Sequence, residues 1–132
     1  MAEIPIGAKS EHTTLVTSDI AIDFLGNENA RVLATPHLIG LLEMTARNAI
    51  KPHLEDGFDT VGSQVNVKHL AATPMGMSVT FRAEVLAVDG RRVTCKVEAF
   101  DEKEKVSEGT HERFIVNVAH FAARVQSKAA GG

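Results

Sequence analysis

Between Pro52 and Asp59 the hydrophobic period of this chain changes from 3.6 residues to 2, and that switch restricts it to an α+β fold. On the N-terminal side Leu38, Leu41, Leu42, Thr45 and Ala49 recur at helical spacing, with Ile39, Glu43, Ala46 and Ile50 in a second row beside them. Thr35 and Pro36 form a start signal, a hydroxyl for the N-cap and a proline for the first helical position. Pro52 turns Lys51 away from helical geometry and closes the segment. A helix apolar on two adjacent rows is expected to be buried over most of its circumference.

On the C-terminal side the alternation defines strands. Val61, Val65, Val67 and His69 share one parity against Thr60, Gln64, Asn66 and Lys68. After a break at residues 71–74, Met77, Val79, Phe81, Ala83, Val85 and Ala87 alternate with polar neighbours. Asp89-Gly90 is a two-residue hairpin signal, and Val93, Cys95, Val97 and Ala99 form the inner parity of the return strand. A last strand is expected from about residue 106 to 116, then a short closing helix through Val118, Phe121, Ala122 and Val125. Upstream, residues 13–17 and 20–24 read as extended, and 26–29 as a polar break. One helix covers one face of such a sheet, which leaves the other face polar or used for assembly.

The chain has 132 residues, the length of one domain, and 44% apolar residues are enough for a packed core. Fourteen basic against seventeen acidic residues, a net charge of −3, argue against a nucleic-acid binder with a broad basic face. The N-terminus lacks the basic start and apolar run of a signal peptide, no stretch has the length of a membrane span, and a single cysteine forms no internal disulfide. A cytoplasmic setting without membrane partners is the expectation.

Three residues carry chemistry out of place. Glu43 lies among Leu41, Leu42 and Met44 on a helix otherwise built for burial, so it is either an edge position or a carboxylate in a pocket. His69 has the parity of Val65 and Val67, facing the helix; it is a satisfied core histidine or a base oriented by Glu43. Thr35 reads as an N-cap, or as a hydroxyl within reach of a base; it is eight residues from Glu43, about 12 Å along the axis, so something else must connect the two. Gly62 interrupts a strand, marking a bulge or the close approach of a ligand. Cys95 has the parity of an inert buried thiol. Arg91, Arg92 and Arg113, with Lys68, are solvated charges or phosphate contacts. His12, His37, His53, His111 and His120 have no metal-ligand spacing, so no metal site is expected.

The run Val-Leu-Ala-Thr-Pro-His-Leu-Ile-Gly-Leu-Leu-Glu (residues 32–43), with Gly-Ser-Gln-Val-Asn-Val-Lys-His (62–69) and Glu112-Arg113-Phe114, resembles hotdog-fold thioesterases of the fluoroacetyl-CoA thioesterase-like family. The resemblance spans about residues 10 to 125 of a single domain. It implies an antiparallel sheet wrapped around a long central helix, a homodimer or higher tetramer with active sites at the dimer interface, and hydrolysis of a small acyl-CoA without cofactor. It maps a catalytic hydroxyl, carboxylate and imidazole onto Thr35, Glu43 and His69, a substrate-positioning glycine onto Gly62 and an arginine onto Arg113. Residues 26–29 are small and polar where a specialised lid would be bulky, so selectivity for a fluorinated acyl group is not expected. Two rival readings are a hotdog hydratase or dehydratase, and a non-catalytic acyl-CoA binding module in which Glu43 and His69 are structural.

Overall fold

Burial of the apolar rows of the long helix organises the molecule, whose structure, a computed structural model, describes residues 3–131. Helix α1 (Thr35–Ile50) buries Leu38, Leu42, Thr45, Ala46, Ala49 and Ile50 and leaves Gly40, Met44 and Asn48 exposed. Past the first turn only this flank is open, and the rest of the circumference is buried or half-buried. The helix ends before Pro52, and the chain continues into a 3-10 turn at Lys51–His53.

Five strands form one antiparallel sheet: β1 (Lys9–Leu15), β2 (Phe58–His69), β3 (Ser78–Asp89), β4 (Arg92–Phe100) and β5 (Lys105–Asn117). Their order is β1-β3-β4-β5-β2, so β1 and β2 are edges. The expected first strand thus starts earlier, at Lys9, and residues 20–24 add no strand; Ala21 makes only an isolated bridge to Leu33. Between β3 and β4 the turn residues are Gly90 and Arg91, one position later than the Asp89-Gly90 signal. Gly90 takes φ +61° and Arg91 stays at negative φ, as a type II′ turn requires. Helix α2 (Val118–Ala129) closes the chain; among the described residues no helix is long and apolar enough to cross a membrane.

Registered neighbours face the same side of the sheet, so the pairings define the rows that meet α1. Phe81, Ala99, Ser107 and His69 form one row; Val85, Cys95, His111 and Val65 another; Val93, Arg113 and Gly62 a third. The inner residues of β3 and β4, from Val79 to Ala99, are almost fully buried against α1. Cys95 is among them, and burial pushes its thiol up to about 11, an unreactive state at neutral pH.

Two bulges correct the simple alternation. The β2 register shifts between Gly62 and Gln64, so Thr60 and Gly62 face inward before the bulge and Val65, Val67 and His69 after it. Val61, expected to share the inner parity, instead pairs with outward-facing Phe114. A second shift between Val85 and Ala87 leaves Ala87 exposed opposite Thr94, and Val88 pairs with Val93 in its place. Arg47 forks onto Asp59 at 2.9 and 2.6 Å, tying the last turns of α1 to the start of β2.

Candidate functional site

Thr35 is not the helix cap. Ala34 has the extended backbone of the N-cap position, and Thr35 is already the first helical residue. Its hydroxyl is free for another partner: Oγ1 lies 2.8 Å from Nδ1 of His69, at the far end of β2. Thr35 is exposed and His69 is half-buried, with its Nε2 shielded and without a hydrogen-bond partner among the described residues. Burial lowers the His69 pKa below the ordinary 6.5, outweighing the Ala71 backbone that favours the charged form. The ring is therefore neutral near pH 7. In the tautomer protonated at Nε2, its Nδ1 lone pair accepts the Thr35 proton, the geometry of a hydroxyl activated by a base.

A cavity of about 390 Å³ opens on this pair, walled by Ile22, Phe24, Val32, Leu33, Leu70 and the alanines at 71 and 72. Residues 26–29 carry no bulky group, as their sequence indicates, but Phe24 just before them lines the cavity and is 76% exposed. Arg31 holds this loop in place by donating to the carbonyls of Ser18, Ala21 and Ile22. A larger cavity of about 500 Å³ lies on the opposite sheet face among Lys9, Glu11, Arg82, Glu84, Lys96 and Glu98. It is a ladder of opposed surface charges that includes neither Thr35 nor His69.

Two turns along α1, Glu43 belongs to a second cluster. Its Oε2 lies 3.4 Å from Nη1 of Arg113, a side chain only 6% exposed. Arg113 also donates from Nε to Thr60 Oγ1 at 2.7 Å and from Nη2 to the Thr60 carbonyl at 2.8 Å. Its Nη1 approaches His111 Nε2 at 3.1 Å, and His111 Nδ1 lies 2.8 Å from the Gln64 carbonyl. Gly62 completes the cluster by lacking a side chain: a Cβ there would meet Glu43 Oε2 at 2.6 Å and His111 Cε1 at 3.2 Å. The bulge expected at Gly62 is formed, and what approaches its bare face within the chain is the Glu43 carboxylate.

The structure thus brings together Thr35 with His69, and Glu43 with Gly62 and Arg113, as two clusters. The expected pairing of Glu43 with His69 is not formed within the chain: Glu43 bonds to Arg113 and His69 to Thr35. The helix geometry explains this, because eight residues separate Thr35 from Glu43 by about 12 Å of rise. Arg113 is enclosed by Thr60, His111 and Glu43 rather than presented to a phosphate; Lys68, Arg91 and Arg92 are the exposed cations of the set. Sequence reasoning passed over His111 and Thr60. The alternation of His111, Arg113 and Ile115 against Thr110, Glu112 and Phe114 already marks His111 as inward-facing.

The chain as a whole is similar to known thioester-cleaving enzymes. The model of the fluoroacetyl-CoA-specific thioesterase family matches residues 16–119. A fluoroacetyl-CoA thioesterase of Streptantibioticus cattleyicolor is 39% identical over 105 residues, 80% of this chain and 76% of that protein. The solved fluoroacetyl-CoA thioesterase FlK superposes with a TM-score of 0.86 at 33% identity, over 96% of this chain and 98% of the other. A Thermus thermophilus hypothetical protein of the thioesterase superfamily gives 0.87 at 30% identity over the whole of both chains. The fold is the hotdog fold, a sheet around a central helix.

Proposed function

We propose, for a chain that belongs to the fluoroacetyl-CoA-specific thioesterase family and is a thioester hydrolase, that it cleaves small acyl-CoA esters at a site shared between two subunits. The observation that carries this reading is the hydrogen bond from Thr35 Oγ1 to His69 Nδ1 at the mouth of an apolar cavity. The acyl group lies against Phe24, Val32 and Leu70, with the thioester carbonyl at Thr35. His69 takes the hydroxyl proton as Oγ1 attacks; the C–S bond breaks and the CoA thiolate takes that proton back from His69. Water then cleaves the acyl-threonine ester, giving the free acid and restoring Thr35. The positive end of α1, where Thr35 begins the helix, favours the developing oxyanion. Lys68, exposed beside His69, suits the CoA phosphates.

Glu43 is the base for the deacylating water, delivered from the second subunit. Its separation from Thr35 within one chain supports this, as does the surface around it. Strand β2 is a long edge with unpaired backbone groups, and Val65 (40% exposed) and Met44 (39%) lie uncovered beside Glu43. A homodimer formed through β2 covers all three features. Co-expression of Thr35→Ala with Glu43→Ala subunits tests the shared site. Each variant alone is inactive; random pairing makes half of the dimers mixed, each with one intact site, so about a quarter of wild-type activity returns. A site confined to one subunit yields no recovery.

A further inference from the structure

We infer that His111 is a positioning residue that holds Arg113 against Glu43, an inference that rests on the role proposed for Glu43. The hydrogen bonds define its tautomer. A carbonyl only accepts, so the Nδ1 facing the Gln64 carbonyl carries the proton; a guanidinium only donates, so the Nε2 facing Arg113 Nη1 is the lone pair. His111 is a neutral ring acting as acceptor, and its 4.0 Å separation from Glu43 Oε2 is not an ion pair.

Its effect follows from how Arg113 is held. The Nε and Nη2 bonds both end on Thr60 and pin one edge of the guanidinium. The opposite corner, Nη1, is free to swing about that edge, and its reach to Glu43 is long at 3.4 Å. His111 Nε2 is the second acceptor on Nη1 and holds that corner toward the carboxylate. The ring is 2% exposed and walled by the bare face of Gly62, so it has no room to turn away. Burial also lowers the His111 pKa, in keeping with a ring that remains an acceptor at neutral pH.

Two amide substitutions separate this role from a merely structural one. Gln places its amide oxygen near the position of Nε2 and keeps the bond to Arg113; Asn places its amide near Nδ1, keeping the Gln64 bond and losing Arg113. His111→Asn is expected to lower kcat by about tenfold or more with KM changed less than about threefold, and His111→Gln to stay within about threefold of wild type. Nitrogen-15 spectra of the guanidinium give a readout independent of catalysis. The Nη1 protons of Arg113 should be separately resolved in wild type and His111→Gln, and averaged by rotation in His111→Asn. The inference is overturned if His111→Asn keeps both its kcat and its Arg113 signals, or if the two variants lose activity alike in step with their melting temperatures. Should wild type release no thiol from any ester, the thioesterase reading falls, and the Arg113 signals still decide the role of His111.

Discussion

A methyl group at Gly62 is expected to disable the enzyme while leaving its fold intact. Gly62 does not occupy the left-handed region, so alanine is conformationally permitted and the only new feature is the Cβ. That atom would lie 2.6 Å from Glu43 Oε2, where ordinary contact begins at 3.4 Å, so the carboxylate must retreat by about 0.8 Å. The retreat is possible because the Glu43 side chain is 40% exposed and flexible at its end. Misplacement of a reacting group by about 1 Å costs on the order of 100-fold in rate, so kcat should fall by about 10- to 100-fold, or roughly 1.4–2.7 kcal/mol in the barrier. Stability should change little, since the gain of about 0.4–1 kcal/mol from replacing glycine by alanine in an allowed conformation is opposed by the 3.2 Å approach of the same Cβ to the confined His111 ring. Steady-state release of CoA thiol, read beside thermal melts, separates the two effects. Unchanged kcat in a folded Gly62→Ala protein would refute the argument that Glu43 must occupy this spot.

Thr35→Ala should abolish turnover yet cost little stability, because the N-cap is Ala34 and no capping bond of about 1 kcal/mol is lost; a large drop in melting temperature would contradict the cap assignment. Arg113→Met leaves the Thr60 carbonyl and His111 Nε2 buried without a donor, and should destabilise by about 2–4 kcal/mol in urea melts, with a loss below about 1 kcal/mol counting against the buried network. His69 and His111 both titrate below the ordinary 6.5 in the folded chain, mainly because burial disfavours their charged forms. Below about pH 6.5 the unfolded chain therefore binds protons that the folded one does not, so stability is full above that pH and declines as pH falls towards the folded-state values. Melts at pH 7.5 and 5.5 check the sign, and equal stability at both would refute it.

The fold was legible because its main signals are periodic: the rows of Leu38 and Leu42, then the alternation through Val79, Phe81, Val97 and Ile115, all end in the core. What escaped was whatever interrupts a period. One extra residue at each bulge inverted the faces of Val61 and Ala87, since a slip of one position reverses every side chain beyond it. The one-residue offset of Thr35 from the cap had a similar origin, because Pro36 is compatible with either of the first two helical positions. The candidate site was legible as a set of residue types but not as a network. Strand spacing along one chain cannot say that His69 meets Thr35 while His111 and Arg113 meet Glu43, because those contacts depend on how α1 crosses β2 and β5.

Free thiol released from a panel of short, branched and aromatic acyl-CoA esters, by wild type and by folded Glu43→Ala and His69→Ala proteins, tests the central claim most directly. Hydrolysis at a site of Thr35, His69 and Glu43 predicts release by wild type, greatest for small acyl groups, and collapse in both variants. Tight binding of the same esters with no thiol released from any of them would contradict it and make the chain an acyl-CoA binding module.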